Sequence, residues 1–250
     1  MTVHNSQIQI EHDGSSMAGY LARPDAASGP HPAVIVFQEV FGVNKEVKRI
    51  CDLVASAGYV ALAPNYYHRT HPDLNEPYTP EGTERGFAAA GNVTRDSLRK
   101  DTIASRDWLN AQDFVKTGKV ATWGFCFGGT VAFLSATLSG IAGAVCFYGG
   151  QIASPMPGGE PEALADVKDI TCPILLAFGG DEDPWIKTEH VERIRRTLDE
   201  AGKDFQIQIY PSEGHAFFRG SSEHIGGGDH SQVVADAWSL VQVFFKKVFA

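Results

Sequence analysis

The sequence predicts an α/β fold, a mostly parallel sheet of about eight strands covered by helices on both faces. Three observations predict it. Short β-rich runs alternate with helical patterns from end to end. Several of those runs are continuously apolar, as strands buried on both faces are. The 250 residues suffice for one large domain with a substantial core.

In chain order, "QIQIEH" and "MAGYLAR" flank "DGSS" and read as an opening hairpin. "PAVIVFQ" is the first fully apolar strand, followed by "YVALAP", "KVATWGF", "AGAVCFYG", "PILLAFGG" and "FQIQIY". Between them, "NKEVKRICDLVASAG", "SLRKDTIASRDWLNAQ", "GTVAFLSATLSG" and "TEHVERIRRTLDEAG" read as helices, the last with a glycine stop. "SQVVADAWSLVQVFFKKVF" closes the chain, with Val233, Val234, Trp238, Val241 and Phe244 or Phe245 at roughly helical spacing. Strands alternating with helices demand right-handed crossovers. Tyr66 to about Thr94 breaks the rhythm; rich in Pro, Gly and polar residues, it reads as an irregular, lid-like segment. "HIGGGDH" reads as a surface loop. With no internal repeat, low-complexity tract or linker, residues 1–250 read as a single domain.

Composition narrows the function. Apolar residues make up 43% and charged residues 20%, ordinary for a globular protein. A formal charge of −9 argues against nucleic acid and anionic membranes as partners. The first residues lack the basic patch and apolar core of a signal peptide, and no apolar run approaches a membrane span. Cys51, Cys126, Cys146 and Cys172 form no CxxC pair, so reduced thiols in the cytoplasm are the expectation. There is no HExxH zinc pattern.

The chemistry centres on "GFCFGG", Gly124 to Gly129, just after "KVATW". A buried cysteine packs as a small hydrophobe and needs no glycines around it. A nucleophile on a sharp strand-to-helix turn does, because its strained backbone tolerates only small neighbours. That turn exposes Cys126 and frees the N–H of Phe127 to stabilise an oxyanion, while the helix N-terminus favours a thiolate. A base and an orienting acid must follow. His215, after the strand "FQIQIY", lies where loops converge on a sheet's ligand crevice. Asp181, Glu182 and Asp183 compete for the acid in the loop after "PILLAFGG"; Asp183 is the choice, with Asp181 next. The order nucleophile, acid, histidine is that of the α/β-hydrolase fold. Trp123, before the turn, reads as core.

"VFQEVFGVN", "GFCFGG", "GGDEDPWI" and "EGHAFFR" occur in the order seen in the dienelactone hydrolase family, which the chain resembles through most of its length. The resemblance implies Cys126 as nucleophile, His215 as base and Asp183 as its orienting carboxylate. It implies that Glu39 interacts with the resting thiol and helps deprotonate it when substrate arrives. It places the N–H of Val40 beside that of Phe127 in the oxyanion hole, and Arg219 on a substrate carboxylate. Arg85, in "TERGF", is the candidate for a second such arginine. Tyr148, in "CFYGG", is a candidate for pocket or core.

Two departures set the chain apart from the family's best-known form: Ala89 stands in place of a tyrosine, and His68 to Gly91 is longer and richer in proline. The expected activity is hydrolysis of a lactone or activated ester, with or without a carboxylate, through a thioester and without metal or organic cofactor. A broad carboxylesterase or thioesterase, and a non-catalytic binding or redox-sensing protein on the same fold, are the rivals.

Overall fold

The structure, a computed structural model, describes residues 2–25, 29–180, 183–219 and 230–250. Strands β1 (Val3–His12) and β2 (Ser15–Pro24) form the opening hairpin, paired from Val3 opposite Pro24 to His12 opposite Ser15. Asp13 and Gly14 turn it with φ of 51° and 70°, the two-residue geometry that suits the twist of the flanking strands. Strands β3 (His31–Phe37), β4 (Val60–Pro64), β5 (Val115–Phe125), β6 (Ala144–Phe147), β7 (Ile174–Gly179) and β8 (Phe205–Tyr210) complete an eight-stranded sheet. Its order is β1-β2-β4-β3-β5-β6-β7-β8, antiparallel through β4 and parallel from there on.

Among the described residues, six α-helices connect and cover the strands: α1 (Lys45–Ser56), α2 (Pro80–Ala90), α3 (Arg95–Asn110), α4 (Phe127–Ser135), α5 (Thr188–Glu200) and α6 (His230–Phe249). Side chains alternate along β5, so neighbours report opposite faces of the sheet. The Thr122 hydroxyl meets that of Ser135 on α4 at 2.8 Å, while the Trp123 ring stacks on Trp238 of α6 at 5.5 Å. Both faces are therefore covered, and Trp123 is the core residue that its position before the turn suggests. Local signals start the helices: Asn44 accepts from the N–H groups of Glu46 and Val47, and Thr94 and Ser97 form a capping box.

The segment read as irregular holds α2. Thr79 caps it by accepting from the Gly82 N–H at 3.1 Å, and Pro80 occupies the first turn, where it sacrifices no bond. Gly82 and Gly86 hid the helix, because glycine weakens helical patterns. Both are required by packing: a Cβ on Gly82 would lie 2.1 Å from the Pro77 carbonyl, and one on Gly86 2.8 Å from that of Val40. The "HIGGGDH" loop, His230 aside, lies outside the described residues.

This topology sets where chemistry can occur. From β3 the chain steps through α1 to β4 on one side; β5 lies on the other. Ligands in such sheets bind beyond the carboxyl ends of strands where the order reverses. Here those ends are Phe37, followed by Glu39 and Val40, and Phe125, followed by Cys126. The two ends approach closely because Gly128 has no side chain; a Cβ there would sit 2.4 Å from the carbonyl oxygens of Phe37 and Gln38. Gly128→Ala is expected to destabilise the fold by more than about 2 kcal/mol, since backbone must move to admit the methyl. Gly91→Ala, whose Cβ meets nothing nearer than 3.4 Å, should stay within about 0.5 kcal/mol of the parent. Chemical denaturation of the two variants checks this contrast.

Candidate active site

Cys126 sits on the turn between β5 and α4 with φ 53° and ψ −119°, a conformation rarely adopted by residues with a side chain. Its N–H donates to the Phe147 carbonyl at 3.0 Å, and its own carbonyl accepts from Gly129 and Thr130 to begin α4. A Cβ on Gly124 would meet the Gly128 carbonyl at 1.8 Å, so the glycines flanking the cysteine are steric necessities. Cys126 is the one cysteine that is not fully buried, and it opens onto a cavity of about 1040 Å³.

His215 lies in the loop after β8. Its Nδ1 is 2.9 Å from Oδ2 of Asp183, in the loop after β7. Asp183 is buried, and its other oxygen accepts from the N–H groups of Trp185 and Ile186 at 2.9 and 3.0 Å. Burial opposes charge on Asp183, but the bonds from His215 and the two amides prevail and hold its pKa below the ordinary value. Burial likewise opposes charge on His215. Electrostatic interaction and hydrogen bonding with the neighbouring Cys126 sulfur, together with the Asp183 carboxylate, outweigh it and raise the ring to about 9. Nδ1 is thus committed to the acid, and Nε2, buried without a well-aligned hydrogen bond, is the nitrogen left for the thiol. Asp181 lies outside the described residues; Asp183 reaches His215.

Val40 and Phe127 follow the ends of β3 and β5. Neither N–H donates to a protein acceptor among the described residues. The backbone before Val40 is fixed by Tyr66, whose hydroxyl donates to the Gln38 carbonyl at 2.6 Å and whose ring packs edge-on against Phe127 at 5.9 Å. Tyr66 was not among the sequence candidates.

Glu39 is buried, with its carboxylate bonded to Arg219 rather than to the thiol: Arg219 Nε donates at 3.1 and 3.3 Å, and Nη2 at 3.1 Å. The Arg219 guanidinium also lies 3.9 Å over the Tyr78 ring and 5.3 Å from that of Phe41. Burial opposes its charge; Glu39 and the surrounding rings hold the charge in place. Arg219 does line the cavity. Arg85 does not. Thr83 and Phe87, four residues apart on α2, face the cavity, and Arg85 lies about 200° around the helix from either. There it is exposed and donates to Glu76 at 2.6 Å. Tyr148 is buried below His215, ring centroids 5.1 Å apart, and borders a small chamber shared with Glu39 and Arg219. It therefore supports the imidazole from beneath instead of lining the main cavity. Ala89 is buried in α2. Trp185, which sequence reasoning passed over, lines the cavity with its ring edge-on to His215 at 4.6 Å.

Against this geometry, the sequence model of the dienelactone hydrolase family matches residues 17–249. The chain belongs to that family. A relative from Synechocystis sp., provisionally named carboxymethylenebutenolidase, is 35% identical over 246 residues, covering 98% of this chain and 95% of its own. A relative from Bradyrhizobium sp., provisionally named 2-oxo-3-(5-oxofuran-2-ylidene)propanoate lactonase, is 29% identical over 98% of this chain and 95% of its own. The crystal structure of a Klebsiella pneumoniae protein, provisionally named dienelactone hydrolase, superimposes with a TM-score of 0.86 at 26% identity, covering 98% of this chain and 99% of that one. The Pyrococcus horikoshii acylaminoacyl peptidase shares the α/β-hydrolase fold alone, with a TM-score of 0.73 at 14% identity, covering 100% of this chain and 42% of its own length. The family member described here is a hydrolase of carboxymethylenebutenolidase-like type.

Away from the cavity, His12, His68 and Asp101 bring three ligand-capable atoms within 4.8 Å of one another. Arg69 lies 2.9 Å from Asp101 and already supplies the positive charge a metal would bring, so the cluster ties the opening hairpin to α3. Among the described residues no helix is long and apolar enough to cross a membrane.

The raised His215 pKa fixes a sign. A ring at about 9 in the folded chain and at its ordinary 6.5 when unfolded adds stability below pH 6.5, which is lost as pH rises through about 9. Asp183, lowered from 3.8, adds stability above that value, which is lost as pH falls. Cys126→Ala removes the largest interaction favouring imidazolium. NMR titration of the ring should then report a lower His215 pKa, and unfolding free energy should fall less between pH 6.5 and 9.

Proposed function

We propose that this enzyme is a cysteine-dependent hydrolase of a small-molecule lactone or activated carboxylic ester, working through a thioester acyl-enzyme. One observation carries the reading: a cysteine held at positive φ on a helix N-terminus opens into the cavity and acts on a histidine whose other nitrogen is held by a buried carboxylate. An inert core thiol has no use for that arrangement.

In the proposed reaction, the thiol proton passes to Nε2 of His215 as Sγ of Cys126 attacks the carbonyl carbon. A ring with pKa near 9 is basic enough to hold that proton. The carbonyl π electrons move to oxygen, and the Val40 and Phe127 N–H groups receive the oxyanion. Collapse breaks the C–O bond; the alkoxide or enolate leaves and takes the proton from His215. Neutral His215 then takes a proton from water as the water oxygen attacks the thioester, and collapse breaks the C–S bond, releasing the acid while the departing sulfur recovers that proton from His215. Asp183 keeps Nδ1 protonated throughout, so Nε2 is the nitrogen that exchanges protons. Because a thiolate leaves more readily than an amide nitrogen, amides should be poor substrates.

Glu39 enters as the partner of Arg219, whose guanidinium it neutralises at the edge of the cavity. Four free cysteines suit work in the cytoplasm. The complete set of nucleophile, base, acid and free amides favours catalysis over a receptor on the same scaffold.

Cys126→Ala is expected to abolish release of p-nitrophenolate from p-nitrophenyl acetate and to eliminate the acetylated chain detectable by mass spectrometry. Full turnover in that variant overturns the nucleophile. His215→Ala should lower kcat by about 100- to 10,000-fold, the usual contribution of a positioned base.

A further inference from the structure

Tyr66 and Tyr67 follow β4 on a turn wound tightly on itself. Asn65 Oδ1 accepts from the Tyr67 N–H at 3.1 Å and its Nδ2 donates to the Pro72 carbonyl at 2.7 Å, so one side chain spans the turn. The Tyr67 carbonyl accepts from the N–H groups of Thr70 and His71 at 2.9 and 2.8 Å. From here Tyr66 reaches both segments that carry the proposed oxyanion donors. Its ring packs edge-on against Phe127 at 5.9 Å, and its hydroxyl donates to the Gln38 carbonyl at 2.6 Å and more weakly to that of Glu39 at 3.4 Å. The Glu39 carbonyl and the Val40 N–H belong to one planar trans peptide unit, so they point in opposite directions. A hydroxyl beside the oxygen therefore sets the direction of the N–H.

The turn is held in its place by a buried carboxylate on α3. Asp101 Oδ1 lies 2.9 Å from Nη1 of Arg69 and 3.3 Å from Nε2 of His68, the residues two and three positions after Tyr66. The other ring nitrogen of His68 is 2.9 Å from the Ser15 hydroxyl, so the imidazole is gripped at both ends. A carboxylate buried at this depth is tolerable only with its partners in place, which makes their positions exacting. Neither Tyr66 nor any member of this cluster lines the cavity. Their influence on substrate must pass through backbone.

Resting on the hydrolytic reading above, we propose that Tyr66 is a positioning residue that aims the Val40 N–H at the substrate oxygen, and that Asp101 is its remote anchor, acting through His68 and Arg69.

Two measurements on the intact protein test this. In the first, Tyr66→Phe deletes the hydroxyl and keeps the ring. Its kcat on p-nitrophenyl acetate should fall about 10- to 100-fold with KM within about 2-fold, the mark of an interaction felt in the transition state. Asp101→Asn should act in the same direction, and the double variant should be no worse than the poorer single one, because both changes act through one hydroxyl. Additive losses overturn the anchor. The second measurement compares two reactions of the Cys126 sulfur. With a trifluoromethyl ketone, a C–S bond forms, the carbonyl π electrons move to oxygen, and the thiol proton passes to His215; the product carries an oxyanion. With iodoacetamide, sulfur displaces iodide and no oxyanion forms. Tyr66→Phe and Asp101→Asn should each weaken the ketone adduct, followed by fluorine NMR, about 10-fold and leave the alkylation rate within about 2-fold. A merely structural role moves both reactions alike, and equal loss in both, or loss in neither, overturns the proposal. A selective loss confined to Tyr66→Phe overturns the anchor alone. Should Asp101→Asn not fold, Arg69→Met, at a half-buried side chain, reads the same anchor. If the parent hydrolyses no ester, the hydrolytic reading fails, while selective weakening of the adduct still supports the positioning; a parent that forms no adduct overturns the positioning as well.

Discussion

The site depends on how closely the start of α4 can approach the end of β3. Gly128 carries no side chain, and the Phe37 and Gln38 carbonyls occupy the place where a Cβ would be. This contact brings the turn that carries Cys126 against the segment that leads to Glu39 and Val40. The Tyr66 hydroxyl grips the Gln38 carbonyl from the side, and Gly86 lets α2 press against the Val40 carbonyl. Backbone fixed by such packing has little freedom to reorganise, which is the property that the proposed oxyanion donors at Val40 and Phe127 need. Stability and chemistry here rest on the same close contacts.

Around that backbone frame, buried charges come in compensated sets. Asp183 is satisfied by two amides and His215; Glu39 is satisfied by Arg219, which in turn lies against Tyr78. Each carboxylate would be costly alone, and each is tolerable because a donor was placed with it. The sets differ in consequence. The first leaves one imidazole nitrogen free of the acid, whereas the second holds an ion pair at the edge of the cavity, where Arg219 still lines the wall.

The fold was legible because its signals are local and redundant. Apolar runs, alternation, the Asp13-Gly14 turn and the caps at Asn44 and Thr94 all follow from nearest neighbours in the chain. The strand-to-helix turn at Cys126 was legible for a related reason: the glycines around it record close backbone contacts directly. His215 and Asp183 followed from strand ends and chain order. What escaped was set by packing between distant segments. In α2, Gly82 and Gly86 answer to Pro77 and Val40, and their cost to helix propensity masked the start signal at Thr79 and Pro80. Once α2 is a helix, the outward position of Arg85 follows from its spacing to Thr83 and Phe87. The partner of Glu39 could not be read, because Arg219 lies 180 positions away.

The backbone shows where the fold tolerates strain. Among the described residues, four that are not glycine have positive φ: Asp13, Cys126, Tyr148 and Ala216. Asp13 belongs to the hairpin turn, where that geometry is needed for pairing. The other three surround the candidate site, and a sparsely populated backbone conformation costs on the order of 1–3 kcal/mol at each. Each is held by a backbone hydrogen bond: Cys126 N–H to the Phe147 carbonyl, Tyr148 N–H to the Ala177 carbonyl, and Arg219 N–H to the Ala216 carbonyl. The strain has a common geometric result. One bend lifts the sulfur off the end of β5, one turns Tyr148 beneath the imidazole, and one follows His215 directly and redirects the chain so that Arg219 returns to Glu39. Random strain would be scattered over loops; strain gathered around one imidazole is what a preorganised catalytic site requires.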